Sequence, residues 1–232
     1  MQTSDKRKLA GRVVLRGAAG ALFMGVLLFV PARTIHFWQA WALMGVHYGA
    51  TAFFCIYFFR RDAQTVERRM LIKENQVLQK IVRALWRTLS AISIVLAGLD
   101  HRFGWSQTLL VPVPLWLEWL SLLVIAGAYC LYFEVMKANR FAASVIQVES
   151  GQSVIVSGPY GMIRHPMYLA FATMAMFTPL ALGSFVALPV SLLILPIIVL
   201  RLLNEEKFLR RDLGGYEDYC RQTRHRLVPL IW

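Results

Sequence analysis

The chain of 232 residues is strongly apolar: 57% of its residues are hydrophobic, 16% are charged, and the mean hydropathy is +0.52. This composition is too apolar for an ordinary soluble domain and predicts an integral membrane protein. The net charge of +12 would also suit a nucleic-acid-binding protein. However, the basic residues follow a membrane topology and form no recognisable binding module, so we expect no nucleic-acid partner.

Apolar runs that cross, or nearly cross, about 30 Å of hydrocarbon recur along the chain. We predict an all-α bundle of five to six transmembrane helices, at residues 17–32, 37–59, 88–99, 115–136, 167–183 and 184–203. The last two are separated only at residues 182–184, which predicts a tight hairpin. The first and third runs are short, so a count of five stays open.

The basic residues are distributed unevenly between the predicted loops. Residues 1–16, 60–87, 137–166 and 201–232 carry 23 Lys and Arg, whereas the intervening segments around Arg33 and Arg102 carry 2. Short cytoplasmic loops are enriched in Lys and Arg. We therefore predict that both termini are cytoplasmic, which agrees with an even number of crossings.

Two further segments have amphipathic helical spacing. In the loop at 60–87, the apolar positions predict a segment that lies along the membrane surface and contacts its lipids; they are Val77, Ile81, Ala84 and Leu85. In the C-terminal segment, an apolar stripe predicts a helix, broken near Gly214 and Gly215, that folds back against the cytoplasmic face; its members are Leu209, Leu213, Tyr216 and Cys220.

The histidines and cysteines show no metal-binding spacing, and the three cysteines do not suggest a disulfide framework. We therefore expect no metal site. His47 lies on an apolar helix, where a histidine is more often a hydrogen-bonded residue of the bundle than a ligand.

The stretch GPYGMIRHPMY, residues 158–168, interrupts two apolar regions. A glycine-proline turn opens it, and Pro166 suits the first position of the following helix. Arg164 and His165 should then lie at the cytoplasmic start of that helix, beside unpaired backbone N–H groups that favour an anion.

The last predicted helix ends on the same side with Arg201, Glu205 and Glu206. Arg201 and Glu205 are four residues apart and share a helix face, so an intrahelical salt bridge would explain them. Two carboxylates at a helix C-terminus oppose the helix dipole, however, and this favours a ligand site. Helix N–H groups, an arginine, carboxylates and aromatic rings together suit S-adenosylmethionine, whereas NADPH should require more basic residues near the motif.

These residues, in this order, resemble the isoprenylcysteine carboxyl methyltransferase family, part of a wider group of membrane methyltransferases that includes phospholipid N-methyltransferases. The motifs cover residues 147–232, with weaker upstream similarity at 97–106 (AGLDHRFGWS). The resemblance implies one membrane methyltransferase domain over 1–232. Its N-terminal helices occupy 1–136, and its cofactor-binding region, with a cytoplasmic cofactor pocket, occupies 137–232.

The resemblance also implies the roles of individual residues. Arg201 would bind the carboxylate of the lipid substrate, and Arg201, Glu205 and His165 would be the catalytic residues. The residues implied in S-adenosylmethionine binding are Gln147, Gln152, Ser153, Val154, Ile155, Tyr160, Arg164, His165, Pro166, Met167, Tyr168, Glu205 and Glu206. Gln152 and Ala170 depart from the family's usual His and Gly, which puts the contact at position 152 in question.

The expected reaction is direct transfer of a methyl group to a lipophilic acceptor that enters from the bilayer. A carboxylate acceptor needs no general base, whereas an amine would need Glu205, Glu206 or His165 to accept a proton. Carboxylate, phospholipid amine and small thiol acceptors all stay open at this point. The alternatives of other classes are an NADPH-dependent membrane reductase and a non-enzymatic membrane protein such as a transporter or assembly factor.

Overall fold

The computed structural model describes residues 3–61, 66–67, 77–109, 111–139, 153–229 and 231–232. All regular structure within these residues is helical, which confirms the predicted all-α fold. The helices are α1 (Thr3–Ala32), α2 (Trp38–Arg61), α3 (Val77–Phe103), α4 (Trp105–Leu109), α5 (Leu115–Ala138), α6 (Pro166–Ala181), α7 (Leu188–Leu192), α8 (Ile194–Asp212) and α9 (Tyr216–Gln222), with a 3₁₀ turn at Gly158–Gly161 before α6.

Five helical segments in the described part of the chain are long and apolar enough to cross a membrane: Arg7–Ala32, Trp38–Arg61, Val77–Phe103, Leu115–Ala138 and Leu188–Asp212. Helix α6, with 16 residues, is apolar but shorter. The chain is therefore an integral membrane protein. Five full-length spans and one shorter helix agree with the predicted count of five to six.

Two predicted elements differ from the structure. The segment at 77–87 is not a separate surface helix, because α3 continues without interruption from Val77 to Phe103. Gln79 and Val82 of this segment are buried, whereas Val77, Ile81 and Leu85 of the predicted apolar stripe are exposed, so that stripe faces away from the bundle. The predicted run 184–203 is instead divided between α7 and α8. Pro196 lies in the first turn of α8 and has no N–H to continue the helix from α7, which accounts for the break at Leu193.

The close contact between α1 and α3 depends on Gly98. A Cβ atom at this position would lie 2.7 Å from the carbonyl oxygen of Leu28. Glycine therefore lets the two helix backbones approach, and Leu28 and Ala97 are completely buried at this contact. Pairs of helices in membranes commonly meet through small residues in this way.

A hydrogen-bonded network closes one end of the bundle, which we call the far end. The buried carboxylate of Asp100, at the end of α3, accepts a bond from the Ser106 N–H at 2.7 Å and bonds from the hydroxyls of Ser106 and Ser184. Ser184 belongs to the tight α6–α7 connection, where Gly183 has a φ of 72°. The predicted hairpin is therefore confirmed, and the upstream stretch 97–106 supports the fold at the end opposite the motif residues.

Candidate functional site

The stretch 158–168 lies at the opposite end of the bundle, which we call the basic end because Arg60, Arg61 and Lys137 end helices there. Pro166 is the first residue of α6 and His165 is the residue that precedes it, as predicted. Proline suits the first helical turn, where an N–H would have no partner within the helix. The motif therefore begins α6, an apolar helix that is shorter than the five candidate spans.

The backbone N–H groups of the two residues that precede this helix are occupied. The backbone N–H of Arg164 donates to the carbonyl of His225 at 2.9 Å, and that of His165 donates to Arg226 at 2.9 Å. The C-terminal segment thus pairs with the chain just before α6. Tertiary contacts therefore use these two N–H groups, and an anion site at the N–H groups of the helix itself stays a prediction.

Glu206 is the centre of a buried ionic cluster. Its Oε1 lies 2.8 Å from Nε of Arg164 and 3.3 Å from Nε2 of His165, and its Oε2 accepts a bond from Nε of Arg226 at 2.9 Å. The side chain of Glu206 is only 4% exposed. Three chain segments, α8, the start of α6 and the C-terminal segment, are therefore held together by one carboxylate. The contact of Arg164, His165 and Glu206 with a cofactor stays a prediction.

A second cluster, which we call the Tyr168 cluster, contains two of the three residues implied in catalysis, Arg201 and Glu205. Nε–H of Arg201 donates to the hydroxyl of Tyr168 at 3.0 Å, and this hydroxyl donates to Oε2 of Glu205. Tyr168 and Arg201 are buried, whereas Glu205 is half-buried. The hydroxyl of Tyr168, on α6, therefore lies between the cation and the carboxylate, which both belong to α8. It fixes the orientation of both side chains.

Tyr160 connects the 3₁₀ turn to its surroundings. Its hydroxyl accepts a bond from Nδ2 of Asn139 at 3.1 Å, and its carbonyl accepts a bond from the Tyr219 hydroxyl at 2.8 Å. Burial raises the pKa of Tyr219, so its phenol stays protonated and remains a donor. The predicted packing of the C-terminal stripe is confirmed here, since Leu213 and Tyr216 are buried in one cluster with half-buried Val154, Leu209 and Cys220.

Tyr216 lies near both clusters, but the sequence interpretation gave it no cofactor-binding or substrate-binding role. It is 4% exposed, and its hydroxyl has no hydrogen-bond partner within the described ranges. Burial raises the pKa of this phenol, and the charges of Glu206 and Glu205 raise it further. The hydroxyl is therefore a protonated donor close to both clusters. The only feature of the sequence that pointed to Tyr216 was its position in the apolar stripe, directly after Gly215.

The remaining predicted cofactor residues fall into two groups. Ser153 is exposed and Val154 and Ile155 are half-buried, next to the 3₁₀ turn, whereas Met167 packs in a cluster with Phe58 and Met136. Gln147 and Gln152 lie outside the described residues.

An apolar cavity of about 540 Å³ lies within the bundle, next to the Tyr168 cluster. Phe171, Trp86 and Ile194 line the cavity and also pack in the hydrophobic cluster that contains Tyr168. Its size is typical of a site for a small molecule. The sequence did not predict this cavity, because its wall combines residues from seven helices that are distant in sequence: α1, α2, α3, α5, α6, α7 and α8.

Comparison with known proteins finds a family model that is similar to part of the chain. Residues 119–211 match the sequence model of the isoprenylcysteine carboxyl methyltransferase (ICMT) family. The predicted resemblance is confirmed. The ICMT segment contains α6, α8 and both charged clusters, except for the C-terminal contribution of Arg226.

A curated relative from another class also matches. Delta(14)-sterol reductase TM7SF2 of Mus musculus is 30% identical over 90 residues, which cover 38% of this chain. The match spans only 22% of the length of that relative. The likeness to this reductase is therefore partial.

Proposed function

We propose that the protein is an S-adenosylmethionine-dependent methyltransferase that acts on a lipophilic acceptor at the membrane. The most favoured reaction is carboxyl O-methylation of isoprenylcysteine or of a similar lipid-like carboxylate. One observation carries the proposal: Arg201, Tyr168 and Glu205 form a single bonded cluster beside an apolar cavity, within the segment that matches the ICMT family. The arginine suits a carboxylate, and the cavity suits the hydrocarbon attached to it.

The residues near this cluster fit the chemical groups of S-adenosylmethionine. Glu205 is half-buried and can accept bonds from the ribose hydroxyls or the ammonium group of the cofactor. The orphan hydroxyl of Tyr216 can donate to its carboxylate. The rings of Tyr216 and Tyr219, with centroids 5.8 Å apart, provide aromatic surface of the kind that attracts a sulfonium cation.

When bound, S-adenosylmethionine supplies an electrophilic methyl group on a sulfonium sulfur. An acceptor carboxylate that is already ionised would form the ester bond to this methyl carbon as the carbon–sulfur bond breaks and S-adenosylhomocysteine leaves, so the chain would need no general base. Arg201 would hold the carboxylate, because a guanidinium matches its planar geometry. Tyr168 would keep the guanidinium aimed, since its hydroxyl already accepts from Nε. Catalysis would then rest on alignment and charge placement in a site shielded from water.

The site is proposed to open to the cytoplasm, where the soluble cofactor is available. The distribution of basic residues supports this orientation, because the clusters lie at the basic end of the bundle. The acceptor would enter from the bilayer. A phospholipid amine or a small thiol is the alternative acceptor.

A second candidate function is NADPH-dependent reduction, which the partial likeness to the sterol reductase favours. The clusters argue against it, because Arg164 and Arg226 are both paired with Glu206 rather than presented to the phosphates of a dinucleotide.

Labelled methyl transfer tests the proposal. Purified protein is incubated with S-adenosylmethionine carrying a labelled methyl group and with total membrane lipids or a prenylcysteine analogue. We expect base-labile label, as in a methyl ester, on the prenylcysteine analogue. Base-stable label on phospholipid would select the amine alternative, and hydride transfer from NADPH without any methyl transfer would refute the proposal.

A further inference from the structure

A histidine lies in the wall of the apolar cavity, far from the charged clusters. His47 of α2 is hydrogen-bonded through Nδ1 to the hydroxyl of Tyr129 of α5, and both residues line the cavity. Ionisable residues inside a membrane are costly, and they commonly mark functional sites. A bond between two helices would explain the pair as a structural feature, so the second ring nitrogen decides between the two interpretations.

Nε2 of His47 has no hydrogen-bond partner within the part of the chain that the structure describes. It is also not among the buried polar atoms that lack a partner, so a molecule in the cavity can contact it. A neutral imidazole has one donor and one acceptor nitrogen. Because Nδ1 is occupied by Tyr129, Nε2 offers one hydrogen bond whichever tautomer is present.

Other polar side chains of the cavity wall are already used within the bundle. Their hydroxyls donate to backbone carbonyls one helical turn away or on a neighbouring helix; they are Thr51, Ser93, Thr178 and Ser191. His47 therefore differs from these four residues.

The depth of His47 in the bundle follows from helix geometry. Phe58 of α2 and Met136 of α5 pack in one cluster with Met167, which directly precedes Tyr168. His47 is 11 residues from Phe58, and Tyr129 is 7 residues from Met136. At 1.5 Å per residue the pair lies about 10 to 16 Å deeper than the basic end. That depth is near the middle of a hydrocarbon core of about 30 Å, where a lipid tail with its head at the basic end would finish.

We propose that the cavity binds a lipid acid with an oxygen function near the far end of its tail, which His47, oriented by Tyr129, recognises through Nε2. This inference rests on the proposed function only for the carboxylate head beside Arg201. A hydroxyl suits the site best, because it can donate or accept as the tautomer requires.

The test compares two ligands that differ only at the tail. Hexadecanoic acid and 16-hydroxyhexadecanoic acid are titrated against the full chain in detergent, and binding is followed by tryptophan fluorescence, since Trp86 lines the cavity. For each protein we take the ratio of its affinity for the hydroxy acid to its affinity for hexadecanoic acid. We expect this ratio to be about five- to tenfold larger in the wild type than in His47→Phe, as one net hydrogen bond gives. The comparison between variants cancels the different partition of the two acids into micelles.

Three further variants make the result specific. Tyr129→Phe should lower the preference because His47 loses its orienting bond, and His47→Gln, which keeps hydrogen-bonding atoms, should restore part of it. Tyr48→Phe is the matched control: this tyrosine contacts the His47 ring edge-on at 4.8 Å but does not line the cavity, so the preference should not change. Thermal unfolding of each variant confirms that it is folded.

An equal ratio of affinities in the wild type and in folded His47→Phe would overturn the inference. If a tail preference is found without methyl transfer, the inference stands and the proposed function fails. If methyl transfer is found without a tail preference, the proposed function stands and the inference fails.

Discussion

Tyr168→Phe removes one oxygen atom from between Arg201 and Glu205, at the centre of the Tyr168 cluster, and leaves the ring in place. The lost hydroxyl accepts from Nε of Arg201 at 3.0 Å and donates to Glu205. Hydrogen bonds to charged partners contribute about 1.5–3 kcal/mol each. In the variant, water can replace the lost bond to Glu205, because Glu205 is half-buried. We therefore count the bond to Arg201 in full and the bond to Glu205 in part, which gives about 3 kcal/mol of lost transition-state stabilisation. This corresponds to a fall in kcat/KM of about 100-fold.

The assay is methyl transfer to a prenylcysteine analogue, with thermal unfolding in parallel. We expect the stability to fall by about 3 kcal/mol through the lost hydrogen bonds and by no more through packing, because the ring still packs against Ala172, Ile198 and Leu202. Tyr216→Phe is the matched comparison, because its buried hydroxyl has no partner within the described residues. This change should leave stability unchanged or slightly higher, yet weaken cofactor binding. Folded Tyr168→Phe with kcat/KM within about threefold of the wild type would refute the reasoning.

The remaining predictions concern charge, acceptor binding and packing. Glu206→Gln should destabilise the protein by about 3–5 kcal/mol in thermal unfolding, because it leaves buried cations without their counter-charge, whereas Glu205→Gln should keep stability and weaken cofactor binding in a titration. Comparable melting temperatures for the two would contradict this. Arg201→Ala should raise KM for the acceptor more than Kd for the cofactor; equal losses would refute its assignment. Gly98→Ala should cost about 1–3 kcal/mol of unfolding free energy, because its Cβ meets the α1 backbone. An unchanged melting curve would show that α1 and α3 can separate freely there.

Local rules predicted the start of the site correctly. Pro166 suits the first turn of a helix, because the N–H that it lacks would have no partner within the helix there. The i, i+4 spacing of Arg201 and Glu205 likewise gives one helix face in any tertiary setting. The tight connection before Ser184 and the break at Gly215, where φ is 80°, followed from the same kind of local signal.

The rest of the site depends on contacts between distant segments, which the sequence alone does not reveal. The N–H groups of Arg164 and His165 follow the rule for a helix start, but carbonyls from the C-terminal segment occupy them. The ion pairs of Glu206 with three basic residues could not be predicted from the sequence, because these residues are far from Glu206 along the chain. The predicted third span began at residue 88, about three turns after the true start of α3 at Val77. Charged residues lower the mean hydropathy of these turns, because hydropathy averages over both faces of a helix and only one face is buried there.

The central claim is that the cluster at the basic end binds S-adenosylmethionine. The most direct test is calorimetric titration of the purified protein with S-adenosylmethionine, S-adenosylhomocysteine and NADPH, with Glu205→Ala as the control variant. The account predicts saturable binding of the first two ligands and its loss in the folded variant. Saturable binding of NADPH without any response to the other two would contradict it.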